Sequence, residues 1–347
     1  MEARKRTILG TVVQRYVETG QPVSSAYVAS ATSSQVSSAT VRKEMNGLER
    51  EGYLTQPHTS AGRVPTERGY RFFVDAMADS GELGHADRQT IGAFFDRATV
   101  ALDDLLRETS TLVSSLTSFA AVVSGPGADS AAVRALHPVW LHANTFMIVL
   151  VLSNGMVQKL TVDIDPTDLG IDEVDQDIAA DLIAIASQAF APVVGQRITA
   201  AVGRIDAGLE HPFVAIIRGA ITEHLGRTHR PTVFIEGAGQ LAAGTEHGFE
   251  PSSFRQLVRV LEDQMAVIGL LQDVLDRGRR VAIGAEHEID ELRECSVVAS
   301  PYVIEGEVAG TVGVIGPTRM DYARMLAAVA AVSDRLGHRL SGPSQPF

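Results

Sequence analysis

The stretch 36–75, VSSATVRKEMNGLEREGYLTQPHTSAGRVPTERGYRFFVD, constrains the fold of this chain more tightly than any other. Val41, Met45 and Leu48 recur at helical intervals, which turns Arg42, Lys43, Asn46 and Arg50 onto the other side of the same helix. Ser37 sits where an N-cap belongs, and Gly52 follows the last periodic residue, where a glycine ends a helix in the left-handed conformation. Residues 53–56 read as a short strand, 57–62 as a turn and 63–65 as the returning strand of a hairpin. Upstream, Ile8, Leu9, Val12, Val13, Tyr16 and Val17 form the apolar stripe of a first helix that Gly20 and Pro22 terminate. A second helix over 25–31 and a turn over 32–36 lead into the third, and a further helix opens near Thr66. The order is helix, helix, recognition helix, two-stranded wing: a winged helix-turn-helix, assigned to residues 1–78.

Such a unit grips duplex DNA, and the side chains supply donors for it. Arg42 can place a bidentate fork on guanine, and Asn46, one turn on, can bracket adenine, so these two are expected to read bases. Ser37, Ser38 and Thr40 lie at the helix start, where hydroxyls, free backbone N–H groups and the positive dipole end suit a phosphate. Lys43 and Arg63 are expected to neutralise backbone phosphates, and the wing residues His58 and Thr59 to touch phosphate or reach the minor groove. Each feature alone is ordinary, since serines cap many helices and a cation on a polar face is usually just solvated. The ordered combination of cap, donor-bearing helix and wing is what points to DNA.

Charge divides the chain in the same way. Residues 1–73 hold ten Lys and Arg against six Asp and Glu, a balance of +4, while the remainder carries −16 within a chain total of −12. A basic head on an acidic body suits a protein that meets DNA at one end only. The 347 residues imply two or three domains. The strongest apolar run, 146–152, is far short of a bilayer span and the N-terminus has no hydrophobic signal region, so the expected location is the cytoplasm. The single cysteine, Cys295, cannot form an internal disulfide and reads as a buried structural thiol.

Enzymatic signatures are absent from the sequence: it has no HExxH, cysteine cluster, GxSxG or GxxxxGK[ST], and neither catalytic residues, metal site nor cofactor is expected. The adjacent Glu286, His287 and Glu288 read as a surface turn, because neighbours in a regular element do not converge on one ion. Gly237, Gly239 and Gly244 read as a loop lacking the dinucleotide fingerprint. The run Arg277, Gly278, Arg279, Arg280 is expected to pair with nearby carboxylates.

Beyond the head, residues 79–125 read as a linker and helical connector, with Phe94, Phe95, Leu102, Leu105, Leu106, Leu112 and Leu116 as a stripe along a helical segment over 91–119. Two β-rich blocks follow, 133–162 with a turn at Ser153, Asn154 and Gly155, and 281–315, which can pair as one sheet. Between them 171–191, 212–224 and 253–276 read as helices and 232–235 as a short strand, and a helix over 320–340 closes the chain. The fold class is α+β multidomain.

Several of these segments resemble the heat-inducible transcription repressor HrcA family: SSATVRKEM from Ser37, EGYLTQPHTSAGRVPT from Glu51, GYRFFVD from Gly69, IGAEHEIDELRECSVVASPY from Ile283 and GTVGVIGPTRMDYARM from Gly310. The resemblance spans nearly the whole length and is looser in the middle third. It implies a GAF-like α/β domain, assigned to 126–165 and 277–347, interrupted by an inserted dimerising domain over 166–276. It further implies a homodimer that binds double-stranded DNA at an inverted-repeat operator, called CIRCE, before chaperone operons, and a chaperonin that keeps the repressor active until heat draws it away. The alternative is a small-molecule-responsive regulator, with Trp140, Phe146, Met156 and Tyr302 lining a ligand cavity in the GAF-like domain.

Overall fold

The computed structural model describes residues 2–32, 37–58, 61–77, 83–97, 101–127, 131–153, 156–197, 211–227, 232–239 and 251–341. The N-terminal head consists of α1 (Ala3–Thr19), α2 (Ser25–Ala31), α3 (Ser38–Arg50), β1 (Leu54–Thr55), β2 (Val64–Pro65) and α4 (Glu67–Ala76). Helix α1 buries Ile8, Leu9, Val12 and Val13 and stops where Gly20 turns left-handed, its N–H donating to the Tyr16 carbonyl at 2.8 Å. Strands β1 and β2 pair antiparallel, and the N–H and C=O of Val23 exchange bonds of 2.9 Å with those of Arg63, which adds a one-residue third strand to the wing. Gly62 is required at that crossing, because a Cβ there would strike the Val23 carbonyl. The expected winged helix is therefore present, with its strands shorter than read from sequence.

The body continues with α5 (His85–Arg97), α6 (Leu102–Thr117) and β3 (Ala120–Ser124), then β4 (Val133–His142), β5 (Thr145–Leu152), β6 (Val157–Asp163), α7 (Gln176–Phe190) and α8 (Pro212–Arg227). It ends with β7 (Val233–Glu236), α9 (Pro251–Glu262), α10 (Gln264–Asp276), β8 (Val281–Ile283), β9 (Cys295–Ile304), β10 (Glu307–Pro317) and α11 (Tyr322–Ser341). The helical run expected over 91–119 is two helices, and its neighbour 120–124 is a strand that the sequence reading assigned to the connector.

Two separate sheets form where one is expected. Strands β7, β3, β10, β9 and β8 lie side by side, all antiparallel, while β4, β5 and β6 pair only among themselves. Burial explains the choice. Strand β5 alternates between half-buried and buried residues, the pattern of a sheet with one covered face, whereas β3 is buried at every position and β9 at nearly every one. A strand buried on both faces needs a partner that is almost wholly apolar, and 120–124 (AAVVS) supplies it for β10, its one hydroxyl, on Ser124, accepting from the Thr311 N–H at 2.8 Å.

The three-stranded sheet packs Phe146, Ile148, Leu150 and Leu152 against Leu182, Ala186 and Phe190 of α7 and Phe213, Ile217 and Ile221 of α8, a core distinct from that of the rest. The Phe146 and Phe213 rings meet edge-on at 4.9 Å. Borders at 126–165 and 166–276 thus cut through one core, and the excursion from the main body begins near 131. The head and the five-stranded unit, by contrast, share a continuous apolar core. Trp140, Phe146 and Met156 belong to one core and Tyr302 to the other, its hydroxyl donating to the Ser124 carbonyl at 2.9 Å, so the four do not line a common ligand cavity. No described helix is long and apolar enough to cross a membrane.

Helix α4 docks the head onto the body. Arg71 places its Nε 2.8 Å from Glu286 Oε1, pairs through Nη2 with the other carboxylate oxygen and donates to the Val281 carbonyl at 2.8 Å. Tyr70 meets Tyr322 with ring centroids 5.8 Å apart, and its buried hydroxyl has no hydrogen-bond partner among the described residues. Gly284, at φ 55°, lies where a Cβ would run into the Glu67 carboxylate. The Glu286-His287-Glu288 segment is therefore not a surface turn: Glu286 seals the seam, His287 is buried, and Glu288 alone is exposed, pairing with Arg277 at 3.1 Å. Arg277 also pairs with Asp273 at 2.9 Å and Arg279 approaches Glu286 at 3.7 Å, as the basic run led one to expect.

Candidate nucleic-acid interface

Helix α3 is held by its inward face and leaves its outward face to solvent. Val41, Met45 and Leu48 are buried, while Arg42, Lys43 and Asn46 are exposed. The start of the helix is built as expected: the Ser37 hydroxyl accepts from the Thr40 N–H at 3.2 Å and lies 3.0 Å from the Thr40 hydroxyl. Ser37 and Ser38 are exposed and Thr40 is partly so, and the first backbone N–H groups of a helix have no partner in its own ladder. Among the described residues neither Arg42 nor Lys43 has an ion-pair partner.

The other end of α3 is fixed to the wing. The Tyr53 N–H donates to the Leu48 carbonyl at 2.9 Å and the Thr66 N–H to the Tyr53 carbonyl at 3.1 Å, so the hairpin leaves and returns at the helix C-terminus. Gly52 adopts φ 79°, the conformation expected of a terminating glycine. Arg68 donates to the Glu51 carbonyl at 2.9 Å and lies 4.6 Å over the Tyr53 ring, and Lys5 of α1 pairs with Glu51. These cations brace the head. His58 is exposed at the wing turn, its carbonyl accepting from the Ala61 N–H at 2.9 Å. Thr59 lies outside the described residues.

Arg63, expected at a backbone phosphate, is paired within the head. Its Nε and Nη2 sit 3.0 and 2.9 Å from Glu49 Oε2, and Nη2 also donates to Asn46 Oδ1 at 2.9 Å. The side chain is 14% exposed. Its charge is met by a carboxylate within the same domain. Sequence reading could not find this partner, because Glu49 and Asn46 are 14 and 17 residues away and are brought to it by the return of the wing. Between α3, the start of α2 and the wing lies a polar hollow of ≈ 380 Å³, walled in part by Ser24, Arg42, Asn46, Gln56, Gly62 and Arg63.

Groups elsewhere are structural. Burial pushes the Cys295 thiol up to about 12, which keeps it protonated. Burial also lowers the His287 imidazole from its ordinary 6.5, although hydrogen bonds to the Cys295 and Leu292 carbonyls oppose the shift. Among the described residues no three or more His, Cys, Asp or Glu side chains gather as a metal site.

Comparison with known proteins gives the family. The family model described as HrcA protein C terminal domain matches residues 103–326. A protein of Rhodococcus jostii (strain RHA1), called heat-inducible transcription repressor HrcA, is 36% identical over 350 residues, covering 97% of this chain and 98% of its own. One of the same name from Parafrankia sp. (strain EAN1pec) is 34% identical over 348 residues, covering 98% and 99%. A crystal structure of a hypothetical protein superposes with a TM-score of 0.66 over 99% of this chain and 100% of its own, at 22% identity, a likeness of fold.

Proposed function

This chain belongs to the HrcA family of heat-inducible transcription repressors, and from that premise we propose that it represses by seating α3 of two paired copies in the major groove of an inverted-repeat, CIRCE-type operator before chaperone genes, in the cytoplasm. Arg42 and Asn46 meet base edges, and Ser37, Ser38 and Thr40 hold a phosphate at the helix start. Lys43 neutralises the backbone, with His58 and Thr59 touching DNA from the wing. The observation that carries the reading is the pair Arg42 and Lys43, exposed on a capped helix without an anion of their own among the described residues. A cation left unneutralised at such a position suits an anion from outside the chain.

Pairing supplies the affinity that one small head lacks, because the second contact becomes intramolecular once the first is made. The inserted dimerising domain is best read as the three-stranded unit with α7 and α8. Its outer sheet face aligns Val139 with Met147, Val149 between His137 and Lys159, and Ala135, Val151 and Val157 in one row, with exposed Leu141 beside them. An apolar face of this kind suits isologous contact with a second copy. The five-stranded unit is then the GAF-like domain. The chaperonin enters as the partner that maintains the folded, paired fraction, since only that fraction holds DNA.

Footprinting of genomic DNA with purified protein tests the operator. Protection of one inverted repeat upstream of chaperone genes is expected, and uniform protection of random sequence would refute it. Operator occupancy after mild heating should be higher with chaperonin present; equal occupancy removes its role.

A further inference from the structure

Arg63 has a use that its pairing with Glu49 makes specific. A guanidinium carries donors only, so its 2.9 Å bond to Asn46 must end on Oδ1, and this fixes which way the amide faces. The fork itself cannot wander: Nε and Nη2 are held by Glu49, and the backbone N–H and C=O of Arg63 are both bonded to Val23. Asn46 is exposed beside the polar hollow, leaving its amide nitrogen with two N–H donors for a ligand. Resting on the reading of α3 as the base-reading helix, we infer that Arg63 is a positioning residue for the base preference of the repressor: by engaging one lone pair of the Asn46 carbonyl it fixes which way the amide faces.

The consequence is a fixed reading of one base. An unrestrained asparagine can turn its amide over and offer donor and acceptor in either order. Arg63 takes one of the two Oδ1 lone pairs, so the oriented amide keeps one acceptor site and its N–H donors, the set that brackets adenine N6 and N7. Because Arg63 belongs to the wing and Asn46 to α3, the preference also depends on the wing staying in place.

Selection of half-sites from a randomised duplex library, using full-length protein, tests this together with the salt dependence of binding. The wild type should select adenine at the position whose preference Asn46→Ala abolishes. Arg63→Lys keeps the charge but cannot hold Glu49 and Asn46 at once. It should relax that one position by about tenfold, the scale of a lost base contact, with the salt slope unchanged and a lowered melting temperature that still leaves the protein folded in the assay. Arg63→Ala should do the same, and the double variant Asn46→Ala/Arg63→Ala should relax nothing further. Wild-type preference in Arg63→Lys would overturn the inference, as would an intact preference with a salt slope reduced by about one per subunit in Arg63→Ala, the mark of a phosphate contact. If the wild type selects no sequence at all, it is the DNA-reading assignment of α3 that fails, independently of Arg63.

Discussion

The head has two faces that carry arginines, and the fate of those charges differs. On the side of α4, Arg71 meets Glu286, a backbone carbonyl and Asp75, and Arg324 of α11 meets Asp87 of α5 nearby. On the outward side of α3, Arg42 and Lys43 have no such partner among the described residues. Arg63 and Lys5, although close to that outward side, are matched by Glu49 and Glu51 and brace the domain. A cation with its counter-charge in the same fold is committed to that fold; one without it remains available to an anion from outside. The difference cannot be read from residue type or position along a helix, only from where the carboxylates end up.

The largest effect should come from breaking what both faces rest on. Leu48 is fully buried beneath α3, and Leu48→Ala should cost about 2–5 kcal/mol of stability in urea unfolding and abolish specific DNA binding with it. Next comes the seam. Arg71→Ala leaves Glu286 without its main partner, and because the two side chains are 19% and 23% exposed the cost should be about 2 kcal/mol, less than for a fully buried pair. That variant should leave Arg42 and Lys43 free to bind DNA, so a fall in stability with half-site preference retained is the expected combination. Loss of preference instead would mean that the two faces are not independent.

On the outward face, Arg42→Ala should weaken operator binding by about 1–3 kcal/mol and relax one base position per half-site. Lys43→Ala should weaken all sequences alike and lower the salt slope by about one per subunit, measured by titrating binding against salt. The smallest effect has the opposite sign: Tyr70→Phe removes a buried hydroxyl that has no partner and should raise stability by about 1 kcal/mol.

The seam should also respond to acid. Burial works to raise the Glu286 carboxyl, but hydrogen bonds from Arg71 and the Ile283 N–H, with the charges of Arg71 and Arg279, outweigh it and bring the group below its ordinary 4.5. His287 is likewise lowered from 6.5, chiefly by burial. For both groups the unfolded chain binds protons more readily, so stability is complete above the ordinary value and is lost as pH falls through the folded one. The melting temperature should therefore begin to fall below about pH 6.5 as His287 contributes and fall further below about pH 4.5 with Glu286. His287→Gln should flatten the first part of that decline. A decline unaltered by the substitution would remove His287 from the account.

Much of the head was legible because its signals are local. Ser37 and Thr66 cap the helices that follow them, Gly20 and Gly52 end the ones before, and the spacing of Val41, Met45 and Leu48 gives the buried side of α3 without reference to anything else. Strand 120–124 was not legible, since five small apolar residues after a long helix have no period to distinguish a strand from a last helical turn. Nor was the separation of the two sheets, although the one-sided alternation of 145–152 and the uniform burial of 120–124 make sense of it once seen.

Composition and periodicity by themselves determined the helices of the head, the wing, the polar donors on α3 and the basic head on an acidic body, because the elements of the head depend on residues within a turn or two of one another. Tertiary structure alone decided that 120–124 joins the C-terminal strands, that Arg71 reaches Glu286 across 215 residues, and that Arg63 is matched by Glu49 and steers Asn46. Electrostatic and hydrogen-bonding partners are chosen by distance in space, and a linear order of side chains does not contain that distance until the chain has packed.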